Sequence, residues 1–173
     1  MKVKHLVGAF LCVLGCYACS SPKTEVQSPD GHIKMTLTVD ENGKPFYNVS
    51  VDDSLVIENS AMGFTAANGI ILGEGFQVKN TTFSSEDETW TQPWGENKKN
   101  RNHYNEMAVN LTNEDHVQLT LRFRVFDDGI GFRYEYTVPT VDSLLITDEL
   151  TTFRFHRDGT SWSIPASAET YEL

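Results

Sequence analysis

The feature that most constrains the fold is a strict alternation of apolar and polar side chains late in the chain. From Val117 to Val125 every second residue is apolar. The polar residues between them are Gln118, Thr120, Arg122 and Arg124. A period of two residues is typical of a strand that buries one face. After the turn residues of Asp127–Gly129 the alternation resumes, with apolar side chains at Ile130, Phe132, Tyr134 and Tyr136. The sequence therefore predicts an antiparallel hairpin over residues 117–136.

Earlier segments repeat this pattern at short intervals. The apolar residues Ile33, Met35, Leu37 and Val39 share one predicted face. Asn42-Gly43 predicts a two-residue hairpin turn, after which Tyr47, Val49 and Val51 lie together on the returning strand. Another turn is predicted at Asp52–Ser54, and no amphipathic helix of useful length follows. Many short strands separated by polar turns indicate an all-β domain, either a sandwich or a barrel.

The start of the chain has the composition of an export signal. Two lysines precede an apolar run, Leu6–Leu14, that is too short to span a bilayer as a helix. A cysteine directly after a small residue suits lipid attachment, and Cys16 and Cys19 both meet this condition. We therefore expect a signal peptide with a lipobox over residues 1–19 and a tether over residues 20–27. The protein would be exported, either periplasmic or held at the outer membrane by its lipid. A plain secretory peptide is the alternative.

The charge balance excludes one large class of partner. The chain carries 14 Lys and Arg against 24 Asp and Glu, a net charge of −10. Nucleic-acid binding needs a clustered basic face. The one basic cluster, Lys98, Lys99 and Arg101, is flanked by Glu96 and Glu106. We therefore expect no nucleic-acid partner, and a ligand that is either neutral or a cation. All three cysteines lie in the leader, so the exported part has no disulfide framework and no cysteine metal site.

One segment, residues 87–106, lacks any regular period, and residues 89–106 within it are predicted to form a long connection at one end of the domain. It contains Trp90 and Trp94, which either cap the core or form a surface for sugars, because aromatic planes cover the apolar faces of sugar rings. Neighbouring polar groups could bond sugar hydroxyls. The candidate substrate-binding residues are Trp90, Trp94, Glu96, Asn102, His103 and Asn105. These polar residues are also ordinary loop formers. His103 has no second histidine at ligand spacing, so a zinc site is not expected.

The order of the motifs resembles a known family. The segments "PWGE", "RNHYNE", "FRVFDDGIGFRYE" and "SWSIPASAETYE" follow one another as in the N-terminal domain of glycoside hydrolase family 97. The resemblance covers residues 28–173. It implies an antiparallel β-sandwich of the galactose-mutarotase-like type, from exported Bacteroidetes enzymes that act on α-glucosides or α-galactosides. It also implies that a catalytic barrel and a small C-terminal domain follow the sandwich in the complete enzyme.

The resemblance also limits what can be carried over to this chain. The family's catalytic carboxylates belong to the barrel, so we expect a fragment without catalytic residues. In the family a glutamate after a "W-x-I-P" segment helps to bind calcium, and Glu172 matches it, with Glu169 as a weaker second candidate. Calcium needs several oxygen ligands. We therefore expect calcium in the complete enzyme and no cofactor for this chain alone.

Two functions of different class follow from this resemblance. The first is a carbohydrate-binding or supporting sandwich of an exported α-glycosidase, with an α-linked oligosaccharide as ligand and no activity alone. The second is a surface lipoprotein module that pairs with a catalytic barrel encoded separately. Hydrolysis by the chain alone is a third and weaker hypothesis, since no pair of carboxylates can be identified from the sequence.

Overall fold

The computed structural model describes residues 23–160, 162 and 164, and within them nearly all regular structure is β-strand. The strands are β1 (Glu25–Gln27), β2 (Ile33–Val39), β3 (Pro45–Val51), β4 (Ser54–Ala61), β5 (Phe64–Ala66), β6 (Ile71–Leu72), β7 (Gln77–Thr91), β8 (Lys99–Thr112), β9 (Gln118–Phe126), β10 (Ile130–Thr137) and β11 (Ile146–Glu149). One 3-10 turn spans Ala67–Gly69. In the described part, none of the helical structure is long and apolar enough to cross a bilayer.

The strands form two four-stranded sheets and one small third sheet. The first sheet has the order β1-β2-β3-β4 and the second the order β10-β9-β8-β7, while the third is β11-β5-β6. Every pairing is antiparallel. The core between the two larger sheets is built from Met35, Leu37, Tyr47, Val49, Met107, Val109, Leu111, Leu119, Leu121, Phe123 and Val125. This architecture confirms the predicted all-β antiparallel sandwich.

The period-two segments lie where the sequence places them. In β9 the four apolar positions Leu119, Leu121, Phe123 and Val125 are fully buried, and the side chains between them face outward. β10 returns antiparallel to β9 after the turn at Asp127–Gly129, where the Phe126 amide donates to the Gly129 carbonyl at 2.8 Å. Alternation survives here because each strand has one face on the core and one in solvent.

The turn after β2 differs from the prediction. The Asp40 amide donates to the Lys44 carbonyl at 3.0 Å, so Glu41, Asn42 and Gly43 form a three-residue connection instead of a two-residue one. The Asp40 carboxylate accepts the backbone amides of Asn42 and Lys44, which stabilises this longer loop. The turn predicted at Asp52–Ser54 is confirmed.

The tether predicted for residues 20–27 is wrong at its C-terminal end. Residues 25–27 form β1, which pairs with β2 and buries Val26 to 6% exposure. Three residues with one apolar side chain give too short a pattern to reveal a strand. The Ser28 hydroxyl then accepts the amide of Ile33 at 2.9 Å, which fixes the bend between β1 and β2.

The long connection predicted over residues 89–106 is also wrong, because both of its sides are strands. β7 and β8 pair without interruption from Asn80↔Asn110 to Thr91↔Lys99. β9 accompanies β8 only as far as the Tyr104↔Phe126 pair. Residues 87–103 therefore form a two-stranded hairpin that extends past the third strand, and we call it the arm. Most of its side chains are exposed on both faces, which removes the alternation that marks a half-buried strand.

Candidate functional site

The arm holds its shape through cross-strand side-chain contacts. Arg101 donates to both carboxylate oxygens of Asp87, at 2.7 and 2.8 Å. The pair is diagonal across the two strands, since Asp87 lies opposite His103 and Arg101 lies opposite Thr89. The Asn102 amide donates to Glu88 at 2.8 Å. These bonds matter because a two-stranded ribbon has little apolar surface to bury. The hydrogen bond to Arg101 holds the pKa of Asp87 below its ordinary value.

The two tryptophans of the arm are both exposed. Trp90 is 49% exposed near the end of β7, and Trp94 is 85% exposed in the turn that joins β7 to β8. A shallow cavity of about 480 Å³ at this tip is lined by Thr91, Gln92, Pro93, Trp94, Gly95 and Lys98. The alternative in which these tryptophans cap the core is therefore wrong. Glu96 is an exposed residue of the same turn.

The remaining predicted residues divide between the two faces of the arm. Trp90 lies opposite Asn100, and Asn102 lies opposite Glu88, so Trp90 and Asn102 share the face that points away from the core. His103 and Asn105 occupy the alternate positions of β8 and share the face of the core residues Met107 and Val109. The six predicted residues therefore do not form one binding surface.

His103 and Asn105 instead lie at the base of the arm. The Asn105 amide donates to the Gln27 carbonyl of β1 at 2.9 Å. His103 Nδ1 lies 3.7 Å from a carboxylate oxygen of Asp127, and this buried nitrogen has no hydrogen-bond partner in the described structure. The other oxygen of Asp127 accepts the Asp30 amide at 3.0 Å. These residues join the arm to both sheets.

A cleft at the base of the arm has the dimensions of a ligand site. Its volume is about 710 Å³, within the usual range for small-molecule pockets of roughly 300–1,000 Å³. It lies between β1 with the following loop and the paired β7 and β8. Its lining includes Gln27, Ser28, Asp30, Phe83 and Asn105, and Phe83 is 50% exposed. An open aromatic ring among amide, hydroxyl and carboxylate groups is a suitable surface for a neutral polyol.

The outer face of the second sheet carries a charge network that was not predicted as a site. Glu106 is 7% exposed although it lies on the side of the sheet away from the core. Its two carboxylate oxygens accept hydrogen bonds from Arg122 at 2.5 Å and from Arg124 at 2.8 Å. Arg122 also bonds both oxygens of Glu135, which accepts a further bond from Arg133 at 2.8 Å. The alternating arginines of β9 are the sequence signal that indicates this network.

The electrostatics of Glu106 do not suit a general acid. Burial raises its pKa, but the hydrogen bonds from Arg124 and Arg122 outweigh burial and hold the pKa below its ordinary value. A general acid at neutral pH needs a raised pKa. Among the described residues there is also no group of three histidine, cysteine or carboxylate side chains placed to hold a metal. Glu172, Glu169, Cys16 and Cys19 lie outside the described residues.

Comparison with known proteins gives a consistent set of relatives. The model of the family described as Glycosyl-hydrolase 97 N-terminal matches residues 26–173. The retaining alpha-galactosidase of Bacteroides thetaiotaomicron is 29% identical over 133 residues, which are 76% of this chain and 19% of that protein. The chain thus spans about a fifth of the length of this relative.

Solved structures agree with this result. A glycoside hydrolase family 97 enzyme from Pseudoalteromonas sp. strain K8, in complex with panose, has a TM-score of 0.69 and 36% identity. The match covers 76% of this chain and 20% of that one. A family 97 enzyme of the same strain in complex with acarbose matches equally well. A beta-arabinopyranosidase has a TM-score of 0.67 and 27% identity, over 76% of this chain and 21% of that one.

Proposed function

The chain belongs to the glycosyl-hydrolase 97 N-terminal family, and from this premise we propose that it is a carbohydrate-binding and supporting sandwich of an exported α-glycosidase. The relatives support the ligand class, since one is named a retaining alpha-galactosidase and others are complexes with panose and acarbose. The ligand we propose for this chain is an α-linked oligosaccharide.

The observation that carries this proposal is the pair of exposed tryptophans on the arm, together with a separate cleft at its base that contains Phe83 and Asn105. Exposed aromatic rings beside amide groups can cover the apolar faces of sugar rings while the amides bond the hydroxyls. A chain that contributes such a surface need not contribute catalytic groups. We further propose that the chain alone does not hydrolyse glycosides.

Isothermal titration calorimetry of the purified chain with panose tests the binding proposal. We expect Trp94→Ala to weaken panose binding about tenfold, the equivalent of about 1.4 kcal/mol of lost stacking. The matched control is Trp162→Ala, since Trp162 is 95% exposed and lies outside the arm. Phe83→Ala, with Phe155→Ala as its control, separates binding in the cleft from binding at the tip.

Several outcomes would contradict the proposal. Panose binding that is absent, or that falls equally with Trp94→Ala and Trp162→Ala, would exclude a sugar site on the arm. Release of p-nitrophenol from an α-galactoside by the purified chain would contradict the proposed inactivity. A purified chain that binds panose and releases no p-nitrophenol would support both the binding proposal and the proposed inactivity.

Calcium and the lipid anchor are further proposals within this function. We propose that Glu172 supplies one calcium ligand in the complete enzyme, while the chain alone binds no calcium. Calorimetry with calcium chloride, on the chain and on a full-length relative with the matching glutamate replaced, checks this. Mass spectrometry of the exported chain would show a lipid on Cys16 or on Cys19, and unmodified protein in the soluble fraction would exclude the anchor.

A second candidate function is pairing with a separately encoded catalytic barrel, and the exposed tip of the arm favours it. A protruding aromatic surface is typical of an interaction site. Co-expression with the catalytic part of a family 97 enzyme, followed by size-exclusion chromatography, tests the pairing. We expect co-elution that Trp94→Ala reduces and Trp162→Ala does not. Separate elution of both chains would leave carbohydrate binding as the function.

A further inference from the structure

The strand β10 contains Gly131, whose backbone conformation does not require a glycine. Its φ is outside the left-handed region, and a Cβ added there would meet no atom within 4 Å in the described structure. Glycine weakens a strand interior, and it often marks a place where a ligand or another chain approaches closely. Gly131 is exposed, so the space above it is open to a ligand or to another chain.

A small notch lies over this glycine on the outer face of the second sheet. Its volume is about 150 Å³, and it is lined by Arg122, Arg124, Phe126, Gly131, Phe132 and Arg133. This is below the range of roughly 300–1,000 Å³ for small-molecule pockets, and is too small for a sugar ring with its contacts. The notch has room for a single functional group.

The charges around the notch select the kind of group. Three arginines stand against two glutamates, so the network keeps one net positive charge on a chain whose net charge is −10. Arg124 bonds Glu106 through Nε, and its two terminal nitrogens have no hydrogen-bond partner in the described residues. The guanidinium plane of Arg124 rests on the Tyr104 ring, 4.4 Å from the ring centroid, which fixes its orientation. Oriented donors with one unbalanced charge suit a planar anion.

We propose that this notch, defined by Arg124, Gly131 and Arg133, is a carboxylate-binding site. Gly131 lies directly opposite Arg124 in the register of β9 and β10, and both residues line the notch, so a carboxylate bound there would lie beside Arg124. Glu106 of β8 holds Arg124 in place, and Glu135 of β10 holds Arg133. The carboxylate comes either from an acidic side chain of a polypeptide or from a free small acid. This site goes beyond the carbohydrate function and does not depend on it.

The first test is an NMR titration of the purified chain, which follows the Nε–Hε signals of its arginines. Glutarate is the free-acid probe, and the capped tripeptide Ala-Glu-Ala is the polypeptide probe, with Ala-Gln-Ala as its neutral match. We expect saturable shifts at Arg124 with both carboxylates and none with the neutral peptide. The probe that binds more tightly identifies the source. Absence of a saturable shift with both carboxylates would overturn the proposal.

Two matched arginines separate a site from general charge attraction. Arg133 and Arg154 have nearly equal side-chain exposure, 63% and 64%, and each pairs with one glutamate. We expect Arg133→Gln to weaken the binding of the carboxylate probes about tenfold, the effect of one charge-assisted hydrogen bond. Arg154→Gln should leave binding unchanged. Equal losses in both variants would show that the probes respond only to net charge.

A third test places the carboxylate within the chain. Gly131→Glu should fill the notch with its own carboxylate and abolish binding of glutarate, while Gly131→Gln should retain at least part of it. We also expect Gly131→Glu to melt at a higher temperature than Gly131→Gln, because opposite charges directly across two strands attract. If both variants bind glutarate equally and have the same melting temperature, the arginines do not attract a carboxylate above Gly131, and the proposal is wrong.

Discussion

At the scale of single residues, Gly43 is required for two separate physical reasons. Its φ of +74° lies in the left-handed region, and a Cβ at this position would lie 2.3 Å from the backbone nitrogen of Phe76. The approach is this close because the Phe76 amide donates to the Gly43 carbonyl at 2.9 Å. The loop after β2 is therefore fastened to the segment before β7.

A pair of alanine substitutions separates these two reasons. Gly31 has a similar φ of +81°, but a Cβ there would meet nothing within 4 Å. We expect Gly31→Ala to lower the free energy of unfolding by about 1–2 kcal/mol, the cost of the left-handed backbone. Gly43→Ala should cost about 2–5 kcal/mol because the overlap adds to the same backbone cost. Urea unfolding measures both, and equal losses would show that the loop moves away from Phe76 without cost.

His32 illustrates how a turn residue controls the charge of a neighbour. Its ring bonds the carboxylate of Asp52, and this hydrogen bond, with the negative charges of Asp52 and Asp30, raises the pKa of His32 above 6.5. A raised pKa stabilises the fold below pH 6.5, and this contribution is lost as the pH rises through the folded-state pKa. Protonated His32 is thus part of the folded state at mildly acidic pH.

The Asp52→Asn variant tests this control without changing the turn. Asp52 has a φ of 48° and Asp53 a φ of 61°, and asparagine is favoured in such left-handed turn positions. We expect the pKa of His32, followed by the NMR shift of its ring protons, to fall toward 6.5 in Asp52→Asn. Asp53→Asn is the control, because Asp53 pairs with Lys34 and not with His32. An unchanged His32 titration in Asp52→Asn would assign the shift to another group.

At the scale of strands and sheets, the strands that could be predicted are those with one face on the core and one face in solvent. β2, β3, β9 and β10 show the alternation because each covers the core with every second side chain. The arm could not be found this way, since both of its faces are exposed and nothing forces apolar residues to alternate. β1 could not be predicted for a different reason, since three residues are too few to show a period of two.

Only some features of the candidate site could likewise be predicted from the sequence. The exposed tryptophans of the arm could be identified from residue type alone, and the structure confirms that they are exposed. The tryptophans are separated from His103 and Asn105 because alternate residues of a strand face opposite sides. This could not be predicted for a segment interpreted as a loop. Glu106 could not be singled out because its environment depends on arginines of β9 that are distant in sequence and adjacent only in the sheet.

The charge network on the outer sheet face makes a further prediction. Glu106 accepts bonds from two arginines with only 9% of its side chain exposed. Glu106→Gln leaves Arg124 without a charged partner among the described residues, while Arg122 keeps its pair with Glu135. We expect Glu106→Gln to lower the free energy of unfolding by about 2 kcal/mol, within the range for hydrogen bonds to charged groups. Glu88→Gln is the control, because Glu88 is exposed on the same face and a glutamine can still accept the bond from Asn102.

The same variant predicts a change with pH. The pKa of Glu106 is lowered below its ordinary value of 4.5, so its contribution is present above pH 4.5 and is lost as the pH falls through the folded-state pKa. Urea unfolding between pH 7 and pH 3 should show a smaller loss of stability in Glu106→Gln than in the unmodified chain. Parallel curves for the two proteins would show that Glu106 does not contribute to acid unfolding.

At the scale of the whole molecule, the core and the arm are physically separate. The buried cluster joins residues of the first and second sheets with Leu72 of the third, and none of its members lies in the arm. The third sheet also contacts the second through aromatic rings, with Phe64 and Tyr134 only 4.7 Å apart between ring centroids. The arm is held instead by its own cross-strand bonds and by the contacts of His103 and Asn105 at its base.

This separation predicts that the arm can be removed without loss of the fold. Glu86 and Tyr104 are cross-strand partners, so replacing residues 87–103 by Asn-Gly closes the hairpin at the level where β9 ends. Asn-Gly is a preferred two-residue hairpin loop, and the deletion removes no member of the core. We expect the shortened chain to unfold cooperatively in urea with a free energy within about 1 kcal/mol of the original, the range for changes that spare the core. Panose binding should be lost if the tip of the arm carries it, and should persist if the cleft with Phe83 does. A shortened chain that fails to fold would contradict the separation, because it would show that the arm contributes to the stability of the sandwich as well as to its surface.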